Sequence, residues 1–430
     1  MESIVPKDVL LPLPAPFWLL VGLLLVSFMA HILFVNLMVG SSLLALWTEI
    51  KGLKKKDWDR VSAAIAATIT VNKSLAVVLG VAPLLTISVL YTAQFYSSST
   101  LLGTAWLLVI PLVILAFLFT YAHKYSWDAL DRSKGVHLAL ISLACALFLS
   151  IPFIFLANIN LMLYPEHWRR IVSFWDALWL PNVLPRYFHF VMASLALTGL
   201  FFVYYFRRTS GRSDLGSLKV SEVTRVFYGV ALAATAAQVL FGLLLFFTLP
   251  AHVVSLRLIG ILILVLALVP VALWWLWREV RAEDPGRRFR PIVAVLTVVV
   301  SLMVLARHEV REAAVQPHRA KVTAKTVQYE AQVAATQGYL LMPGGLGGVP
   351  ASPGSVIFTR RCASCHSFER RLVGPALNQA LAIYRGNPQG LKAWILKPGR
   401  KRPDYPAMPP QELPPDELQQ LVEYVLQTAG

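Results

Sequence analysis

The sequence predicts an all-α protein: a polytopic bundle of eight transmembrane helices, both termini on the outer side, followed by a small α-helical domain. Three observations predict it. The chain of 430 residues is 57% hydrophobic and only 14% charged, too little charge to cover a soluble protein of this length. Its apolar residues fall in blocks of about 20 or more, the length that crosses a bilayer core. After Val310 the composition turns polar, and the block "RRCASCHSFERRLVGPAL" appears from Arg360. The net charge of +16 sits mostly in short loops between apolar blocks, where basic residues set topology. No nucleic-acid partner is expected; the bulk of the chain faces a lipid bilayer.

The elements follow in order. The amino-terminal stretch "MESIVPKDVLLPLPAPFWLL" lacks a basic leader region, and its apolar block is too long for a signal peptide, so it reads as a retained first helix. The expected spans are about 15–48, 74–97, 101–122, 136–163, 184–206, 226–250, 256–277 and 291–307. Loops "KGLKKKDWDR", "HKYSWDALDRSK", "RRTSGRSDLGSLKVSEVTR" and "REVRAEDPGRRFR" carry most of the lysines and arginines of this part. The opposite loops carry few, so the basic set marks the cytoplasm. With eight spans both ends then lie outside. The expected location is a bacterial inner membrane with the tail facing the periplasm. Residues 1–310 form the membrane domain; 311–353 hold a polar segment and the stretch "MPGGLGGVPASPGS", which reads as a tether; 354–430 form the small domain.

The tail motif Cys-Ala-Ser-Cys-His has the spacing of covalent haem attachment. Thiols of Cys362 and Cys365, one helical turn apart, reach the two vinyl groups of one haem, and His366 points at the iron. Met408 in "DYPAMPPQEL" is the expected sixth ligand, being the only methionine after the motif, with no histidine after His366. A thioether there raises the reduction potential relative to a second histidine. "LVGPAL" supplies a turn that can brace His366. "NPQGLKAWILKP" and "PPDELQQLVEYVLQT" read as two helices, the second opening on Pro and acidic residues. A covalent haem supplies apolar bulk to a core too small on its own. The pattern resembles a class I monohaem cytochrome c. Arg360, Arg361, Arg370, Arg371, Lys392, Lys397, Arg400, Lys401 and Arg402 make the domain basic, either as a solvated face or for docking an acidic periplasmic redox protein. The third cysteine, Cys145, lies in an apolar run and reads as packing.

Nine histidines are present. His123 and His137 fall at expected cytoplasmic helix ends, and His167 and His318 in polar outer segments; all four read as interfacial. His31 lies inside the first span, "LLVSFMAHILFVNLMVGSSLLALW". An ionisable group there is costly, which haem ligation explains; a packed ring bonded to Asn36 or to a carbonyl is the alternative. His189 opens the fifth span, His252 precedes the seventh, and His308 ends the eighth. Each is either an interfacial residue or a ligand for one or two b haems on facing helices.

"AHILFVNLMVGSSLLAL" resembles the first helix of subunit I of the cytochrome bd quinol oxidases, whose active-site haem ligand matches His31. "PRYFHFVMASLALTG" is similar to that family's low-spin haem helix, with His189 at the ligand position. "SLRLIG" resembles the stretch holding an Arg near the same haem, here Arg257. The likeness spans about 15–310. Departures accompany it. The family's second low-spin ligand is a Met two residues after that Arg, where Ile259 stands, so His252 is the possible substitute. No Asp or Glu lies between Ser74 and His123, where the family runs protons; Asn36, Lys73 and Gln94 are the polar groups available. The quinol loop shrinks to "LPAHVVSLR". The late-helix Glu ligand has only Glu309, beside His308, as a counterpart.

Three functions are compatible with these features. In the first, the protein is an electron-transfer cytochrome linking haem b in the bundle, or a quinone or second membrane subunit, to a periplasmic haem c. In the second, a cytochrome c-fed terminal reductase of oxygen or a related small molecule carries its reactive haem on His31. In the third, the bundle is an anchor and only the tail is redox-active.

Overall fold

An apolar run in a bilayer finds no water for its backbone, so it satisfies its own N–H and C=O groups as helix. The computed structural model, which describes residues 13–209, 214–341, 352–400 and 405–429, has that form: every regular element among them is helical. The chain divides into two compact units, Asp8–Thr323 and a smaller one from Ala324 onward.

The larger unit contains α1 (Phe17–Gly52), α2 (Asp57–Leu90), α3 (Thr92–Leu102), α4 (Thr104–Tyr125), α5 (Lys134–Leu163), the short α6 (Phe174–Leu178), α7 (Val183–Arg208), α8 (Val220–Phe247), α9 (Leu256–Arg281) and the start of α10 (Phe289–Leu341). Seven helices among the described residues are long and apolar enough to cross a membrane, eight if the bent pair α2–α3 counts as one. The expected second span, 74–97, is corrected here. The helix ends at Leu90, and the chain bends by 111° into α3. Tyr91 at the bend has a non-helical backbone (φ −130°, ψ 43°), and its buried hydroxyl donates to Glu312 of α10. That partner lies more than two hundred residues away in sequence, so local hydropathy gives no sign of the bend. The polar stretch from Arg311, whose sequence can form a helix with a weak apolar stripe, belongs to α10. That helix runs unbroken for 53 residues, so the polar segment after Val310 continues the last membrane helix. The glycine- and proline-rich residues 342–351 lie outside the described residues.

Small residues let the helices approach, as membrane bundles require. α1 meets α7 at Gly40, where an added Cβ would lie 2.2 Å from Thr198 Oγ1. Beside it, Ser194 Oγ donates to Asn36 Oδ1 (3.0 Å) and Thr198 Oγ1 to the Asn36 carbonyl (3.1 Å). Asn36 therefore joins α1 to α7 and is not hydrogen-bonded to His31. His123 and His137 differ from expectation: both are fully buried, against Glu49, and not interfacial. Sequence position near a basic loop cannot reveal that three helices close over them.

The smaller unit holds α11 (Pro353–Arg361), α12 (Leu377–Ala380), α13 (Pro388–Leu396) and α14 (Pro415–Ala429). Their starts are written locally: Ser352 caps α11 ahead of Pro353, Asn387 Oδ1 accepts from Gly390 N (2.9 Å) ahead of Pro388, and Asp416 and Glu417 occupy the first turn of α14. The core is Ile357, Phe358, Leu377, Leu391, Leu421 and Val422 with their neighbours. α11 crosses α14 at Gly354, where a Cβ would sit 2.1 Å from the Gln420 carbonyl. Phe358, Phe368 and Tyr424 form an aromatic triangle beside that crossing, with centroids 5.0–6.0 Å apart.

Candidate haem sites

The tail motif lies just past the end of α11. The Cys365 and His366 amides both donate to the Cys362 carbonyl (3.1 and 2.9 Å), a helical turn that sets the two thiols and the imidazole on one side. The following loop folds back on it: Gly374 N donates to the Cys365 carbonyl (2.8 Å) and Leu377 N to that of Ser367 (2.9 Å). This return brings Gly374 and Pro375 onto the His366 ring. His366 Nδ1 faces the Pro375 carbonyl at 3.3 Å. A carbonyl only accepts, so Nδ1 carries the hydrogen and Nε2 keeps the lone pair that a metal takes. At Gly374 a Cβ would stand 2.3 Å from His366 Cε1, so only glycine leaves the ring in place. Gly374→Ala is expected to turn His366 off its axis and weaken ligation; a mixed-spin haem c spectrum in the purified protein checks this.

Burial, and secondly the neighbouring Cys365, pushes the Cys362 thiol up to about 11. Unattached, it stays protonated at neutral pH; in a thioether it no longer titrates. Met408 is half-buried in the segment leading to α14. That segment is held at both ends. Arg371, five residues after His366, lies over the Tyr405 ring at 4.4 Å, and Gln411 N donates to the Ile395 carbonyl (3.1 Å). Of the basic residues, Arg360 pairs with Glu417 (3.4 Å), and Lys401 and Arg402 lie outside the described residues.

In the bundle, His31 Nδ1 is 2.8 Å from the Ala76 carbonyl of α2, and Gly80 leaves room for the ring, a Cβ there being 2.9 Å from Cε1. By the same reasoning Nε2 carries the free lone pair. His189 faces Gly242 of α8, where an added Cβ would lie 3.5 Å from its Cε1; its Nδ1 is buried without a partner of good geometry, the Gln238 backbone lying nearby. His308 Nδ1 is likewise buried and unpartnered. His252 and Arg257 are exposed, and neither is brought into hydrogen-bond contact with His31 or His189. Ile259 is also exposed.

Three arginines that sequence reasoning did not single out lie on the helices that carry His189 and His308. Arg186, one turn before His189, is held by the side chain of Asn182, itself in the left-handed region (φ 85°) and bonded to Thr248 Oγ1 (3.0 Å). Arg307 lies over the Phe28 ring at 4.3 Å, one turn from His31. Arg311 is buried, 5.5 Å from the Tyr91 ring, with Nη1 lacking any hydrogen-bond partner. The three guanidiniums stand within Coulombic reach of one another. The carboxylate of Glu312 is shared with Tyr91 and Arg319. Between Leu25–Leu33 of α1 and Ser301–Leu305 of α10 runs an apolar groove of about 430 Å³.

The chain thus joins helices long and apolar enough to cross a membrane to a domain with a haem-attachment turn. Residues 351–429 match the Cytochrome c family model, and this part of the chain is a cytochrome c domain, the module that binds haem c covalently and transfers electrons. The full chain matches no curated protein.

Proposed function

We propose that the protein conducts electrons between a haem b held in the bundle and the haem c of the tail, which exchanges them with a soluble redox protein on the periplasmic side. The observation that carries this reading is the group Arg186, Arg307 and Arg311, with Arg186 in Coulombic reach of His189, Arg311 of His308, and Arg307 over Phe28, one turn before His31. A buried guanidinium N–H without an acceptor is costly, and three clustered cations call for anions. A porphyrin brings two carboxylates on an apolar plate. The histidines supply ring nitrogens and the arginines supply carboxylate donors.

In this scheme His31 and His189 are the leading ligands, as the bd-type resemblance implies, with His308 available on α10. His252 and Arg257, being exposed, contribute only if a second membrane subunit covers that face. The apolar groove between α1 and α10 suits the isoprenoid tail of a quinone, the expected membrane-side partner. A haem supplies one-electron chemistry at a potential that its axial ligands set. The chain's own residues position it: Ala76 and Pro375 fix imidazole tautomers, and Gly80 and Gly374 let the rings approach. The basic tail residues raise the encounter rate with an acidic partner.

A pyridine haemochrome spectrum of the purified protein tests the reading. Both b- and c-type bands are expected. A c band alone would reduce the bundle to an anchor. Carbon monoxide binding to a high-spin b haem would point instead to a terminal reductase.

A further inference from the structure

Glu49 near the end of α1, His123 near the end of α4 and His137 near the start of α5 meet in a closed pocket, each with no exposed surface. His123 Nε2 is 2.8 Å from Glu49 Oε2, and His137 Nδ1 touches Glu49 Oε1. One ligating atom from each residue lies within 4.8 Å of the others. A tetrahedral zinc site places neighbouring donors about 3.3 Å apart, so closure onto an ion needs only small side-chain shifts.

The far nitrogen of His137 decides its tautomer. Nε2 sits 2.9 Å from the His123 carbonyl, which can only accept, so Nε2 bears the hydrogen. In the neutral ring Nδ1 is then a bare lone pair aimed at a carboxylate oxygen. Two acceptors in contact repel, so a cation must lie between them, a further proton or a metal ion. A shared proton requires one imidazole. The fold brings two, from separate helices, to one carboxylate, and an imidazolium–carboxylate pair without water costs much of what it gains. Lys134 does not fill the position: its Nζ is 3.9 Å from Glu49 Oε1 but bonds Asp59 at 2.6 Å. The Trp127 ring packs edge-to-face on both imidazoles, at 5.3 and 4.6 Å, and closes the pocket to solvent.

We infer that Glu49, His123 and His137 bind a divalent first-row transition ion. Two imidazole nitrogens and one carboxylate oxygen are a donor set suited to zinc, with one coordination position left over. The His137 Nε2–H bond to the His123 carbonyl is the outer contact that holds a ligating imidazole in place. The ion ties together α1, α4 and α5 at the ends marked by the basic loops. It is independent of either haem.

The test uses the full chain in detergent. Elemental analysis, with haem iron subtracted by pyridine haemochrome, is expected to find about one non-haem divalent ion per chain. Protein stripped by a chelator and reloaded with Zn²⁺ is expected to retain zinc through gel filtration. Glu49→Gln and His137→Gln are each expected to bring zinc to background with the haem c spectrum unchanged. Should either variant fail to accumulate, the unmutated protein still decides. If it carries no such ion on purification and keeps no zinc after reloading, the cluster is a proton-bridged pair and the inference is overturned. Zinc retention that survives both substitutions overturns it equally.

Discussion

Met408→Ala is expected to lower the reduction potential of the tail haem by on the order of 100 mV or more, a fraction of the roughly 0.8 V range that axial ligands set. The haem stays covalently bound, because Cys362, Cys365 and the His366 brace do not depend on this loop. The thioether favours the reduced iron, and its loss leaves the sixth position to water or a harder donor. The geometry makes substitution of another side chain difficult. The loop is pinned by Tyr405 against Arg371 and by Gln411 on the Ile395 carbonyl, and no other methionine or histidine follows His366 in the chain. Potentiometric titration of the purified variant is the measurement. An unmoved potential would remove Met408 from the ligand set.

The second large effect concerns the bundle. His31→Ala is expected to abolish b-type absorbance while leaving the c bands intact, so that the b:c ratio in a pyridine haemochrome assay falls toward zero. His31 is the histidine whose preparation for ligation is most complete. The Ala76 carbonyl holds Nδ1 at 2.8 Å and Gly80 clears space for the ring. Loss of the side chain also leaves a void against Gly80, at a cost of about 2 kcal/mol or more. Retention of c absorbance and of a monodisperse elution profile separates ligand loss from unfolding. An unchanged b band would place haem ligation on His189 and His308.

What was legible in the sequence is what short segments decide for themselves. Hydropathy marks the long helices because each must cross a membrane on its own. Cys362, Cys365, His366 and the Gly374–Pro375 turn lie within one short run, so the motif and its brace are readable together. The Arg186, Arg307 and Arg311 group is not, since its members come from helices far apart in the chain and each alone resembles a topology signal. Glu49 shows the same difficulty. It precedes a lysine-rich loop and nothing local singles it out, yet it is fully buried where α4 and α5 bring two histidines to it. At the bend, the Tyr91 hydroxyl bonds Glu312, again a distant residue. Histidines near loops are ambiguous for the same reason: His252 turned out exposed and His137 buried.

The crossing of α11 over α14 at Gly354 has a consequence for how such a chain is assembled and reused. It closes the core of the tail on itself, and a module that packs its own core imposes little on whatever carries it. It can be hung from a different membrane protein, or released as a soluble shuttle, by exchanging the connecting residues alone. The electron carrier and its membrane mooring are thus free to diversify separately.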